Sequence, residues 1–225
     1  METPVNEIEQ TDRVELLSVR VAHPRTIGTQ RSGEPVQSAI DKQVVSADSL
    51  ELSELNLMGD RQADLINHGG PDKAVYVYLT DHLPRWSDEL GAEFGPGTFG
   101  ENLTVSGVDE GTVRIGDVWA WGNALLQVSQ PRQPCYKLAM ITGRPTVVRH
   151  MVETGWTGWY LRVLQAGTVP VAGPILVAER HSSAVTVLAA HRALLPGATG
   201  AEINAVLAVE PLAAAWRRQI EDRLA

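Results

Sequence analysis

Cysteine is almost missing from this sequence: Cys135 is the only one in 225 residues. One thiol excludes an intramolecular disulfide, a Cys-x-x-Cys redox pair and a zinc or iron–sulfur site built from four cysteines of one chain. A reducing cytoplasm is the expected compartment. Long apolar runs are also missing. The first run, VELLSVRVA, is short, carries Glu15 and Arg20, and follows an acidic polar leader, so neither a signal peptide nor a membrane span is expected. Cations are in deficit, 19 Lys and Arg against 27 Asp and Glu, and the net charge of −8 opposes general binding to nucleic acid or to an anionic membrane. A local anion site is still compatible with that balance. No P-loop and no H-E-x-x-H helix is present, and GPGTFG over 95–100, which spells G-x-G-x-x-G, leads into the strand-like run ENLTV and not into a helix, so it is no dinucleotide fingerprint; the common nucleotide and zinc-protease readings are removed. No internal repeat or low-complexity tract is visible.

What is present is a succession of short apolar runs. From Val14 to about Arg180, runs such as KAVYVYL, ENLTVSG, TVRIGDVWAW, ALLQVSQ and PILVAER are broken by Gly, Pro and Asp every ten or so residues. That spacing predicts a mainly β domain, a barrel or a sandwich. Two helical stretches interrupt it. TDHLPRWSDEL has Thr80 or Asp81 as N-cap, and RPTVVRHMVETG has Pro145 early and Gly155 as its stop; both are expected to cover barrel openings. Beyond Arg180 the chain becomes rich in Ala and Leu, with periodic segments at Val187–Leu195, Ala201–Ala208 and Leu212–Leu224. Each is too short to hold alone, so the three must pack together or on the larger domain. The division is therefore a leader over 1–12, a β-barrel domain over 13–181 and a small three-helix segment over 182–225.

Three loops carry residues suited to chemistry. In ALLQVSQPRQPCYKL, strand alternation puts Ala124, Leu126 and Val128 on one face and Leu125, Gln127 and Ser129 on the other, delivering the strand end to a rim. Pro131 and Pro134 then withdraw backbone donors and fix φ, so Cys135 sits on a stiff loop. Arg132 and Lys137 are close in sequence, and nearby cations favour the thiolate, the form that acts as nucleophile or metal ligand. A buried structural thiol is the competing reading. In INHGGPDKAV, His68, Gly69, Gly70, Asp72 and Lys73 precede a strand; a simple glycine turn capped by Asp72 explains the same pattern. In GTFGENLTV, Gly100, Glu101 and Asn102 can aim backbone N–H groups and an amide into a cavity. Farther on, GWTGWYLRVL offers Trp159 and Tyr160 to a core and Arg162 as a further cation.

Taken in order, SAIDKQ, LMGDRQADLINHGGPDKAVYVYLTDHLPRW, FGENLTVSG and LLQVSQPRQPCYKL resemble the MOSC domain, the module named from the C-terminal part of molybdenum cofactor sulfurase. The similarity spans nearly the whole chain and is strongest to the stand-alone YiiM-type bacterial members, associated with resistance to hydroxylaminopurine. The tail GAEINAVLAVEPLAAAWRRQIEDRLA resembles the three-helix segment of that group, less specifically. The resemblance implies a MOSC-type β-barrel with peripheral helices whose mouth binds the pterin-based molybdenum cofactor, with Cys135 ligating the metal. It further implies reduction of small N-hydroxylated compounds: hydroxylaminopurine-like bases, hydroxylamines and amidoximes. Thiolate is a soft ligand suited to such a metal, and one protein cysteine suffices if the pterin dithiolene supplies the rest. Because the pterin ends in a phosphate, convergent cations are needed, and Lys73, Arg132 and Arg162 are the candidates, with Asn102, Gly69 and Gly70 beside them. Cys135 and His68 are the candidate catalytic pair. Arg61 stands where close relatives are expected to carry a small or acidic residue.

A chain with one cysteine and no flavin or nicotinamide fingerprint holds no redox relay of its own: no flavin, haem or iron–sulfur cluster is expected, and an external flavin or iron–sulfur donor is. Two other readings stand beside the reductase: a non-catalytic carrier of the cofactor or of sulfur through Cys135, and a Cys–His hydrolase using Cys135 and His68. The tail could close one end of the barrel, make a homodimer or dock the donor, with Trp216 and Leu224 on an exposed apolar stripe.

Overall fold

The structure, a computed structural model, describes residues 13–62 and 69–224. The expectation placed on His68 therefore falls outside the described residues. Twelve strands are described: β1 (Arg13–Val21), β2 (Arg25–Thr29), β3 (Pro35–Ser38), β4 (Gln43–Val44), β5 (Ser49–Leu52), β6 (Val75–Leu79), β7 (Leu103–Ser106), β8 (Val118–Trp121), β9 (Ala124–Pro131), β10 (Trp159–Gln165), β11 (Gly167–Pro170) and β12 (Gly173–Glu179). Seven of them close a barrel in the order β12-β8-β9-β10-β6-β7-β1, with β1 returning to β12; β4 pairs with β1 outside the ring. A closed ring of seven strands cannot alternate direction all the way round, so one neighbouring pair has to be parallel. That pair is β6–β7, Val77–Leu79 against Leu103–Val105. A parallel pair needs a crossover connection of a dozen or more residues. Here it carries α1 (Leu83–Leu90) and the loop through Gly100.

The strands form because their apolar residues alternate, and the alternation assigns the faces. On β9, Ala124, Leu126 and Val128 face the interior, as expected from sequence. Trp119 and Trp159 meet there edge to face, ring centres 5.8 Å apart. β6 is buried on both faces. Val75, Val77 and Leu79 join the barrel interior, whereas Tyr76 and Tyr78 face outward into a second cluster with Leu83, Trp86, Leu138, Val147 and Met151. This corrects one expectation: α1 and α3 (Val147–Thr154) cover the outer wall at β6, not the barrel openings. Leu79 and Thr80 open a 3-10 turn, and α1 starts after His82 with Pro84 in its first turn and no side-chain cap, so neither Thr80 nor Asp81 caps it. α2 (Tyr136–Thr142), directly after Cys135, was not expected at all.

The tail forms α4 (Val187–Arg192), α5 (Gly200–Leu207) and α6 (Ala214–Leu224). Thr199 and Glu202 make a capping box at the start of α5. Val187, Ile203, Val206, Trp216 and Ile220 belong to the same apolar core as the barrel interior. Backbone bonds from Val187 to Val113 and from Ala213 to Ser129 tie tail and barrel together. Trp216 is buried, its Nε1 donating to Ala190 O at 3.1 Å, so it is not on an exposed stripe; Leu224 is exposed. No helix among the described residues is long and apolar enough to cross a membrane.

Candidate functional site

β9 ends at Pro131, and the chain leaves the sheet through Arg132–Pro134 as a stiff segment. Cys135 follows in extended conformation immediately before α2, half-buried, and lines a cleft. Among the described residues five cations line the same cleft, Lys42, Arg61, Lys73, Arg132 and Lys137, against one carboxylate, Asp60. The expected thiol and two of the three expected cations, Lys73 and Arg132, are thus brought together.

Arg132 is 5% exposed. Its backbone N–H donates to Gly158 O, its guanidinium lies 4.7 Å from the centre of the Tyr76 ring, and Nη1 reaches Tyr76 Oη at 3.4 Å. Desolvation works against its charge, but Tyr76, Tyr160 and Cys135 more than offset this and hold its pKa above the ordinary guanidinium value. Burial pushes the phenols of Tyr76 and Tyr160 up, with Arg132 opposing, so both stay protonated. Tyr76 Oη donates to Thr157 O at 2.9 Å and Tyr78 Oη to Trp156 O at 3.0 Å. The 156–158 loop that receives them is itself anchored, Gly158 N–H donating to the buried Glu110 at 2.9 Å. Gly158 has φ 61°, and a Cβ there would sit 2.2 Å from Val77 O, so only glycine lets the loop approach β6 this closely.

The same cleft is lined by a pair that the sequence did not reveal. Lys42 Nζ donates to both oxygens of Asp60, at 2.5 and 2.7 Å, with side-chain exposures of 8% and 2%. Asp60 also accepts from Ala22 N–H at 2.8 Å and from Asn102 Nδ2 at 2.8 Å, which fills its four acceptor sites. Burial lowers the Lys42 pKa, and Asp60 opposes the shift. Lys42 and Asp60 lie in SAIDKQ and MGDRQAD, but 18 residues of chain and the β1–β4 pairing separate them, and no periodicity signals their meeting.

The other expected site residues divide. Asn102 lines the cleft, but its amide is committed to protein: Oδ1 accepts from Tyr76 N–H, and Nδ2 donates to Arg20 O and Asp60. It positions Asp60 and β6. Glu101 is buried, burial raising its pKa, and accepts from the N–H groups of Gly97 and Phe99 and from Thr104 Oγ1. It closes its own loop. Gly100, with φ 75°, brings that loop against Ile40, where a Cβ would fall 2.5 Å from the Ile40 side chain. Gly69 and Gly70 are not in the cleft lining; Gly70 precedes the 3-10 turn Pro71–Lys73 and donates to Gln62 Oε1 at 3.3 Å, so the glycines place Lys73 and do not themselves face the cleft. Ser129 Oγ, 2.6 Å from Asp72 O, ties the same turn to the end of β9. Arg162 is a correction. Two residues beyond Tyr160, roughly 6.6 Å along β10, it has passed the cleft and binds Asp72 at 2.9 Å, Gln127 Oε1 at 3.1 Å and Pro211 O at 2.8 Å. It fastens the tail to the barrel.

The family signature described as "MOSC domain" matches residues 64–175. The protein YiiM of Escherichia coli is 37% identical over 194 residues, 85% of each chain. This chain belongs to the MOSC family. The Bacillus subtilis protein YflK, described as uncharacterized, is 38% identical over 217 residues, 95% of this chain and 97% of that one. The crystal structure of YiiM from Geobacillus stearothermophilus superposes with a TM-score of 0.78 at 30% identity, covering 94% of this chain and all of that one. A Gibberella moniliformis protein named "Reductase" is 34% identical over 166 residues; these make up 72% of this MOSC chain and 29% of the fungal protein.

Proposed function

We propose that this MOSC protein holds the molybdenum cofactor through Cys135 and reduces small N-hydroxylated compounds with electrons from a separate flavin or iron–sulfur donor. One observation carries the reading: the chain's single thiol opens into a cleft lined, among the described residues, by five cations and one carboxylate, in a protein whose net charge is −8. That polarity suits an anionic group and opposes a cationic one. Among the described residues no three His, Cys, Asp or Glu side chains cluster to hold a metal. A pterin dithiolene would bring further soft ligands to a metal held by Cys135. When bound, the group would supply two-electron chemistry.

The chain's own residues bind, orient and exclude water. Arg132, held against the Tyr76 ring, and Lys73 and Lys137 in the same lining would take the anionic end. Tyr76 and Asn102, locked by their bonds to the 156–158 loop and to Asp60, keep the wall rigid. The name of the fungal relative agrees with a reduction, and the one-cysteine composition calls for an outside electron source.

Protein made in a cofactor-competent host is expected to carry molybdenum and pterin fluorescence, and Cys135→Ala to lose the metal. Reduction of an N-hydroxylated amine is expected only with an added flavin or iron–sulfur donor, not with NADH alone. Metal retained at full level in Cys135→Ala, or cofactor transfer with no turnover under any donor, would overturn the reading; the second outcome is that of a carrier.

A further inference from the structure

Resting on that reading of the cleft, we propose that Lys42, braced by Asp60, is the general acid that protonates the departing hydroxyl of the substrate. Reducing R–NH–OH to R–NH2 and water consumes two electrons and two protons. The electrons come from the external flavin or iron–sulfur donor. The N–O bond breaks, one proton from the Lys42 ammonium turns the leaving hydroxyl into water, and one from solvent completes the amine. Neutral Lys42 is then recharged from solvent.

The geometry points to Lys42 because it is the lining ammonium held by two hydrogen bonds on a buried carboxylate. An ammonium has three N–H donors. Two are fixed on Asp60, at 2.5 and 2.7 Å, and the third has no partner among the described residues although the side chain lines the cleft. Asp60 cannot readily take the proton back, since its four acceptor sites are filled by Lys42, Ala22 N–H and Asn102. A guanidinium does not give up its proton, which disqualifies Arg61 and Arg132, and the Tyr76 hydroxyl is bound to Thr157 O. Lys137 directs Nζ to Gln37 O at 3.2 Å and has no carboxylate among the described residues to fix its other donors. Burial also eases release from Lys42, lowering its pKa from the ordinary lysine value.

The test compares two substrates in Lys42→Arg and Lys42→Gln, each loaded with cofactor. One is an N-hydroxylated amine; the other is its O-acyl derivative, whose carboxylate leaves without a proton. The rate ratio, free hydroxyl over O-acyl, is expected to fall about 100-fold in both variants. In Lys42→Arg, which keeps the charge, molybdenum and pterin per chain are expected at the wild-type level, and a non-reacting amine product is expected to bind with unchanged affinity. Equal losses on both substrates, or an unchanged ratio, overturn the proposal. If the loaded wild-type protein reduces neither substrate with either donor class, the reductase reading itself fails, an outcome distinct from a wild-type-like ratio in the variants. Lys42→Arg retains charge and the bond to Asp60, so it keeps the test open should Lys42→Gln not fold.

Discussion

Substituting Asp60→Asn tests whether the cleft wall is built around a buried ion pair. With side-chain exposures of 8% for Lys42 and 2% for Asp60, neither partner has water to fall back on. Neutralising Asp60 leaves a buried ammonium without its counter-charge, a change that costs about 3–5 kcal/mol when one member of such a pair is lost. Against a total stability of roughly 5–15 kcal/mol for a domain this loss is large. With a urea m-value of about 2–3 kcal/mol/M, the unfolding midpoint is expected to drop by about 1–2.5 M at constant m. Lys42→Met should cost a similar amount. The double variant should cost about as much as one single variant, giving a coupling energy of at least about 2 kcal/mol, because the second substitution removes the charge that the first left stranded. The pH dependence has a definite sign. Burial lowers the Lys42 pKa and Asp60 raises it, so Asp60→Asn depresses it further. A depressed folded-state pKa contributes stability that is present above the unfolded value of 10.5 and is lost as pH falls through the folded value. The deficit of Asp60→Asn should therefore narrow as pH is raised from about 7 toward 10.5. A loss under about 1 kcal/mol, or full additivity in the double variant, would refute the argument.

Two further outcomes follow from the site and its supports. Arg162→Ala should lower stability by about 1–2 kcal/mol, the value of charge-assisted bonds discounted for partial exposure, and leave molybdenum content unchanged; a fall in metal content with unaltered urea unfolding would put Arg162 back at the cofactor. His191 is buried, with Nε2 2.8 Å from Val152 O, and desolvation lowers its pKa. Its contribution is complete above the ordinary value of 6.5 and is lost as pH falls through the lowered folded value. His191→Gln should flatten that part of the acid stability profile in thermal melts, and an unchanged profile would exclude His191 as its source.

Local features were legible in the sequence and distant pairings were not. The period-two pattern of ALLQVSQ puts Ala124, Leu126 and Val128 inside whatever the partner strands are, and Pro131 and Pro134 end the strand by their own chemistry. The same holds for the tail, where the Ala- and Leu-rich periodic segments at Val187–Leu195, Ala201–Ala208 and Leu212–Leu224 correspond to three helices, although the stripe expected to be exposed at Trp216 is buried there. Arg162 looked like a cofactor ligand because it is a cation in a strand near Tyr160; its fate was decided by Asp72 and Pro211, 90 and 49 residues away in the chain. Helix α2 was hidden by the prolines before it, which read as continuing loop.

The sequence by itself determined that one thiol, held on a proline-stiffened segment at a strand end, is all the sulfur chemistry this chain can offer. It also determined which strand faces are apolar, because both properties depend only on neighbours along the chain. Only the tertiary structure decided that Lys42, Asp60 and Asn102 lock together in the cleft that Arg132 also lines, and that Arg162 does not join them. Closing seven strands into a ring fixes which side chains meet, and a Coulomb or hydrogen-bond partner is a matter of distance in space.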